Sequence, residues 1–142
     1  LVVLACNTLP VATFDFLRKT YSLPIVGTEP NINVSKFPAL ALCTTYTKNN
    51  CKILQGSKLD CLALPQLATL IDENIDNLEN VKQYLLLFKN TISKYKSISL
   101  GCTHYTYIKH FIHEINNDCV IYENKYGVAN RVAFLIEKGN VK

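Results

Sequence analysis

The sequence lacks methionine and tryptophan, and only two of its 15 basic residues are arginines, Arg18 and Arg131. Proteins that bind nucleic acids usually concentrate basic residues on one face and favour arginine for bidentate contacts. Here the net charge of +4 comes from lysines that are spread along the chain. We therefore expect no nucleic-acid partner.

Long apolar runs and a basic leader are also missing from the sequence. No run reaches the ~18–20 apolar residues that a membrane-spanning helix needs. Hydrophobic residues make up 49% of the sequence, which is too much apolar mass for a disordered segment. With 142 residues, the chain can form one sizeable core or two small lobes. We expect a cytoplasmic protein that makes no contact with a membrane.

The six cysteines form no C-x-x-C pair, the main signature of zinc ribbons and thioredoxin-like sites. A disulfide framework is not expected in a cytoplasmic chain, and no set of metal ligands at suitable spacing stands out. Four cysteines lie inside or beside apolar stretches and are expected to be small buried hydrophobic residues: Cys43, Cys51, Cys61 and Cys119. Cys6 and Cys102 differ from these because polar residues follow them directly.

The chain opens on an apolar run at residues 1–5 (LVVLA), which is typical of a strand buried on both faces of a parallel sheet. A buried strand needs neighbours that come from elsewhere in the protein. We therefore expect that residues N-terminal to Leu1 are absent from this sequence, and that the part of the fold containing this strand is incomplete.

In the rest of the chain, short apolar runs alternate with stretches of helical periodicity. Helices are predicted at residues 10–21, 67–73, from 76 or 77 to 92, at 105–115 and at 125–138, the last with Val128, Val132, Leu135 and Ile136 facing inward. Further strands are predicted at residues 23–27, 38–43, 51–55, 59–62, 97–100 and 119–122. This alternation predicts an α/β fold built on parallel sheets.

Two segments share one pattern, in which a strand is followed by a small residue, a cysteine, two polar residues and a helix. The first is residues 3–8 (VLACNT), and the second is residues 99–104 (SLGCTH). In open α/β sheets, ligands bind beyond the carboxyl ends of the strands, where helix N-termini present unpaired N–H groups. We therefore expect Cys6 and Cys102 to face a crevice.

A helix N-terminus stabilises an adjacent thiolate by ~0.3–1 kcal/mol, and by up to ~2 kcal/mol when partly buried. The pKa of each thiol is therefore expected to fall by about 0.2 to 1.5 from its usual ~8.5. Two such thiols on opposite sides of a carbon could remove its proton from one face and return a proton to the other. The alternatives are that the two cysteines are buried hydrophobic residues, or that they form a redox pair. His104 either orients the Cys102 sulfur or is simply a residue of the first helical turn.

The segments ACNT (residues 5–8) and GCTHY (residues 101–105) closely resemble the paired signatures of the glutamate racemases, in the cofactor-independent aspartate/glutamate racemase superfamily. Other stretches agree with this resemblance: residues 23–30, the T-x-x-T of Thr44 and Thr47, and residues 64–73. Aspartate racemases typically carry Glu where this chain has His104, so the resemblance favours glutamate over aspartate as the substrate. The family's D-S-G-x-G and P-Y-G segments are not found in this sequence.

The resemblance implies a two-lobed α/β enzyme, with residues 1–22 and 121–142 in a partial first lobe and residues 23–120 in the second. Cys6 and Cys102 would be the catalytic acid and base, with Asp72 influencing proton transfer near Cys102. The residues implied to lie against the substrate are Asn7, Thr8, Thr44, Thr47, Thr103 and His104. The reaction would need neither pyridoxal phosphate nor a metal.

The implied activity is the interconversion of L- and D-glutamate, which supplies D-glutamate for bacterial peptidoglycan. The expected partners are glutamate and, in a homodimer, a second copy of the chain. Two alternatives stay open: an amino-acid-binding module without catalysis, and a racemase of the same superfamily that acts on aspartate or a hydantoin.

Overall fold

A computed structural model of the protein describes residues 1–139, which form two parallel β-sheets flanked by helices. The strands are β1 (Val2–Leu4), β2 (Ile25–Gly27), β3 (Ala39–Cys43), β4 (Asp60–Ala63), β5 (Ser97–Gly101) and β6 (Val120–Tyr122). The α-helices are α1 (Thr8–Thr20), α2 (Thr45–Asn50), α3 (Lys52–Gln55), α4 (Leu67–Glu73), α5 (Glu79–Leu86), α6 (Lys89–Ile92), α7 (Lys109–Ile115) and α8 (Lys125–Glu137). A 3₁₀-helix, Thr103–Ile108, leads into α7.

The larger sheet has the strand order β4-β3-β5-β6, and the smaller sheet pairs β1 with β2; all of these pairings are parallel. The predicted α/β fold with parallel sheets is therefore confirmed. Parallel neighbours bring the carboxyl ends of β3 and β5 together, with Cys43 opposite Gly101. The segments that follow these two strands consequently begin at the same edge of the sheet.

The central strands β3 and β5 are buried along their whole length. On one face, Leu40, Leu42 and Ile98 pack into the main core with residues of α4, α5 and α7. On the other face, alternate residues of β3 belong to a separate cluster, which we call the small core: Ala39, Ala41, Cys43, Cys51, Leu54 and Leu59. Burial on both faces explains why the sequence of β3 is a continuous apolar run.

The prediction that the first strand is buried on both faces is wrong in this structure. Val2 and Val3 of β1 are each 41% exposed. Within the described residues, β1 pairs with β2 alone, so one edge of this strand and much of its side-chain surface have no neighbour.

Three predicted elements differ from the structure. The strand predicted at residues 51–55 is instead helix α3 (Lys52–Gln55) with Cys51 as its N-cap, and Cys51 and Leu54, three residues apart, both reach the small core. The predicted helix ending at residue 92 is divided into α5 and α6 around Leu87 and Phe88. In α8, Leu135 is buried as predicted, but Ile136 is 58% exposed.

Strand pairing crosses the boundaries that were predicted between the two lobes. Residues 25–27, predicted in the second lobe, pair with β1. Residues 121 and 122, predicted in the first lobe, belong to β6 in the larger sheet. The division of the chain into two lobes, with its boundaries, stays a prediction. None of the helices described in residues 1–139 is long and apolar enough to cross a membrane.

Candidate functional site

Cys6 and Cys102 lie just beyond the carboxyl ends of strands from the two different sheets. Cys6 follows β1, and its sulfur accepts a hydrogen bond from the backbone N–H of Leu9 at 3.4 Å. Cys102 follows β5 and is 7% exposed, whereas Cys6 is half-buried. Both are free thiols. Both cysteines therefore lie at strand ends, as the shared sequence pattern predicted. The expectation that the other four cysteines are buried is wrong for Cys61, which is partly exposed.

The electrostatic environment of Cys102 differs from the expectation. Burial raises the pKa of this thiol, and the backbone N–H groups of His104 and Tyr105 oppose that effect only in part. The negative charges of Cys6 and Asp72 raise the pKa of Cys102 further. The expected net fall in pKa is therefore wrong for Cys102, because the desolvation of a buried sulfur outweighs the stabilisation offered by the helical turn.

His104 lies between Cys102 and Asp72. Its Nδ1 is 3.5 Å from the Cys102 sulfur, and its Nε2 is 3.0 Å from Oδ1 of Asp72. A carboxylate only accepts hydrogen bonds, so Nε2 carries the hydrogen that faces Asp72. In the neutral ring, Nδ1 is then free to accept a proton from the thiol. The arrangement can orient the Cys102 sulfur and can move a proton away from it.

Three threonine hydroxyls that the sequence analysis proposed for the site meet in a triangle. The oxygen of Thr8, at the start of α1, lies 3.0 Å from that of Thr44 and 3.1 Å from that of Thr47. Thr44 and Thr47 are 3.0 Å apart, and Thr44 also caps α2 by accepting from the backbone N–H of Thr47 at 3.2 Å. These contacts join the helix after Cys6 to the helix that follows β3.

A cavity of about 660 Å³ lies between the ends of the two sheets. Three of the predicted site residues line it, namely Asn7, Cys102 and Thr103, whereas Cys6, Thr8, Thr44, Thr47 and His104 do not. The Asn7 side chain is 2% exposed, and its Nδ2 has no hydrogen-bond partner among the described residues, so it is available to a bound ligand. A second hollow, of about 690 Å³, lies between α1, β2 and α8, and neither cysteine lines it.

Several cavity residues were not predicted from the sequence. Thr28 follows β2 directly, and its position at the carboxyl end of a strand could have identified it as a candidate site residue. Lys109, Glu123 and Lys125 form the opposite wall, where Lys125 and Lys109 contact Glu123 at 2.7 and 3.1 Å. The hydrogen bonds from Lys125 and Lys109 hold the pKa of Glu123 below its usual range, against the effect of burial. No sequence pattern indicates this group, because its members come from separate elements.

Comparisons with known proteins were made against family models, curated sequences and solved structures. No protein-family model matches the chain. A glutamate racemase from Campylobacter concisus is 34% identical over 130 residues, which cover 80% of this chain and 50% of the relative. One from Clostridium botulinum is 28% identical over 99% of this chain and 60% of the relative.

Among solved structures, a glutamate racemase from Escherichia coli, in complex with L-glutamate and the activator UDP-MurNAc-Ala, superposes with a TM-score of 0.79. It is 20% identical in sequence, and the match covers 95% of this chain and 57% of that one. At this identity the structural match establishes the fold alone.

The fold and the site define an α/β protein with two parallel sheets and a cysteine that lines a cavity at their ends. The chain is similar in sequence and in fold to glutamate racemases. It spans about half the length of the curated relatives it matches.

Proposed function

We propose that this protein interconverts L- and D-glutamate by proton transfer between two cysteines. The observation that carries the proposal is the position of Cys6 and Cys102, which follow the carboxyl ends of strands from separate sheets. The similarity to glutamate racemases supports glutamate as the substrate. We further propose that the product D-glutamate serves peptidoglycan synthesis, that the enzyme acts in the cytoplasm, and that it forms a homodimer.

The raised pKa of Cys102 indicates which cysteine is the acid at the start of the proposed reaction. Because its pKa is raised, Cys102 is a thiol at neutral pH and can donate a proton to the α-carbon, while Cys6 is the proposed base on the opposite face. One C–H bond breaks, another forms on the other face, and the stereocentre inverts. Afterwards Cys6 is protonated and Cys102 is a thiolate. When its ring is protonated, His104 can donate a hydrogen bond from Nδ1, 3.5 Å from the Cys102 sulfur, and so stabilise that thiolate for the reverse reaction.

Hydrogen-bond donors around the cavity suit the charged groups of the proposed substrate. The free amide of Asn7 and the hydroxyl of Thr103 can donate to one carboxylate. Thr8, Thr44 and Thr47 do not line this cavity, and their hydroxyls bond one another, so their proposed role in binding the substrate rests on the sequence resemblance.

The direct test uses purified protein expressed from its complete reading frame and incubated with L-glutamate in deuterated water. Two opposed cysteines place deuterium in the D-glutamate formed, while the remaining L-glutamate stays unlabelled at early times. Mass spectrometry after chiral separation measures the deuterium content of each enantiomer. Equal early labelling of both enantiomers would indicate a single shared base. If calorimetry shows that glutamate binds but its α-hydrogen does not exchange with the solvent, the protein is a binding module. If aspartate or a hydantoin is racemised faster than glutamate, that compound is the substrate.

Asp72 is proposed as a positioning residue that acts through His104. Replacing Asp72 by asparagine removes the negative charge 3.0 Å from Nε2 and leaves an amide oxygen, a weaker acceptor, to orient the ring. We expect kcat to fall about 10-fold, with little change in KM. This is less than the ~10²–10⁴-fold rate enhancement that general acid–base catalysis supplies, because Asp72 acts only through His104. Because the charge of Asp72 raises the pKa of Cys102, the pH–rate profile should also move to lower pH.

The matched control for this variant is Glu73→Gln, which removes the neighbouring, exposed carboxylate in the same helix. Asp72→Glu, which keeps a carboxylate, should recover part of the lost activity. If Asp72→Asn and Glu73→Gln have the same kcat and the same pH profile, Asp72 has no positioning role.

A further inference from the structure

The 660 Å³ cavity has a charged wall that the proposed reaction does not use. We call it the lysine wall, and it consists of Lys109, Glu123 and Lys125. Lys109 begins α7, Glu123 follows β6 directly, and Lys125 begins α8. Because β6 is the parallel neighbour of β5, Glu123 lies at the same edge of the sheet as Cys102, which follows β5. The topology therefore brings the lysine wall into the cavity that the proposed acid lines.

The lysine wall has an excess of positive charge that a ligand can reach. Oε1 of Glu123 lies 2.7 Å from Nζ of Lys125, and its Oε2 lies 3.1 Å from Nζ of Lys109, so one carboxylate is shared by two ammonium groups. Each ammonium group has three donor hydrogens, and further donors remain after the contact with Glu123. The side chains of Lys109 and Lys125 are 39% and 57% exposed, whereas that of Glu123 is 14% exposed. The accessible part of the wall is therefore cationic and suits an anionic group.

A second, independent observation indicates a ligand with acceptor groups in the same cavity. The Asn7 side chain lines it, is 2% exposed, and its Nδ2 has no hydrogen-bond partner among residues 1–139. A buried donor without a partner is unfavourable, so an acceptor on a bound ligand is expected there. Asn7 follows Cys6, and Thr103 follows Cys102, so these two donors suit the acidic group nearest the reacting carbon. The lysine wall belongs to other elements and is left for a second acidic group of the ligand.

We propose that Lys109 and Lys125 bind the side-chain carboxylate of the substrate, and that Glu123 is a positioning residue that holds both ammonium groups in place. This inference rests on the proposed function, because it assigns a site to the second carboxylate of glutamate. The lysine wall then selects acidic over neutral amino acids. Glutamine has nearly the same shape as glutamate, but its side-chain amide is uncharged and accepts a weaker hydrogen bond from an ammonium group.

The test measures the binding of L-glutamate and L-glutamine by calorimetry, with purified protein expressed from its complete reading frame. The unmodified protein should bind glutamate at least ~10-fold more tightly than glutamine, because hydrogen bonds between charged groups are the stronger ones. The double variant Lys109→Gln/Lys125→Gln removes both positive charges and keeps N–H donors. Its preference for glutamate should fall to less than about 2-fold, through weaker binding of glutamate. In the racemisation assay, KM for glutamate should rise more than kcat falls.

Two control variants separate recognition of charge from a structural role of the wall. Lys94→Gln removes a lysine that precedes β5, whereas the cavity lies beyond the carboxyl end of that strand, so the preference for glutamate should not change. Glu123→Gln breaks the same ion pairs as the double variant but leaves both lysines charged, so glutamate should still be preferred. Circular dichroism confirms that each variant is folded. An unchanged preference in the double variant, or an equal loss in Glu123→Gln, would overturn the proposal.

The result for the lysine wall can be distinguished from the result for the proposed reaction. If glutamate binds with a preference that depends on the lysines, but its α-hydrogen does not exchange, the wall is supported and the racemase proposal fails. If glutamate is racemised and the double variant keeps its preference, only the proposal for the wall fails. If the unmodified protein binds neither amino acid, both proposals fail.

Discussion

Replacing Cys6 or Cys102 by alanine, one at a time, is expected to lower the rate of glutamate racemisation by at least ~10³-fold. Inversion of the α-carbon needs an acid and a base on opposite faces, and each variant leaves only one of the two sulfurs. Chiral chromatography of the products, starting from either enantiomer, measures the loss. The protein should be expressed from its complete reading frame, as for the labelling experiment.

The two variants should also differ from each other in a characteristic way. A single remaining cysteine can still remove the proton that faces it and return a solvent proton to the same face. Cys6→Ala and Cys102→Ala should therefore exchange the α-hydrogen of opposite enantiomers with deuterated water, each without inversion. Cys51→Ala is the matched control, since that thiol lies in the small core away from the cavity. Racemisation at the normal rate by either site variant would rule out a two-base mechanism.

The sequence was sufficient to predict the strands that are buried on both faces, because such burial requires a continuous apolar run. The apolar run of β3 and the strand before Cys102 could be recognised because both faces of these strands are covered. Residues 51–55 were assigned wrongly because a run this short has no measurable period, and only the position of the small core decides between helix and strand. The exposure of β1 could not be foreseen either, since it depends on which strands pair with it.

For the candidate site, the sequence predicted where the two cysteines lie better than it predicted the burial and charges around them. The pattern around Cys6 and Cys102 correctly placed both sulfurs at strand ends. It did not predict the raised pKa of Cys102, which follows from burial by residues distant in the chain. The contacts of Thr8 with Thr44 and Thr47 span 36 and 39 residues, and the cluster around Glu123 joins two helices and a strand end. Such contacts exist only after the chain has folded.

Gly101→Ala is expected to destabilise the protein by about 2 kcal/mol and to reduce activity more than this loss of stability explains. A small residue before Cys102 permits a tight turn and a close approach of other backbone. The structure shows the close approach, because a Cβ at Gly101 would lie 2.8 Å from the carbonyl oxygen of Leu42 and 2.9 Å from Cβ of Cys43. The contacts come from the neighbouring strand β3, so β5 must shift, and Cys102 at its end shifts with it.

Denaturant unfolding, followed by circular dichroism, measures the change in stability, and the racemisation assay is run under conditions where each variant is folded. Gly56→Ala is the control, because a Cβ there would meet the backbone oxygen of Lys52 at 3.5 Å, an ordinary contact, and the residue already has a helical conformation. Its unfolding free energy should change by less than about 0.5 kcal/mol. If Gly101→Ala is as stable and as active as Gly56→Ala, the close approach of β3 does not fix the position of Cys102.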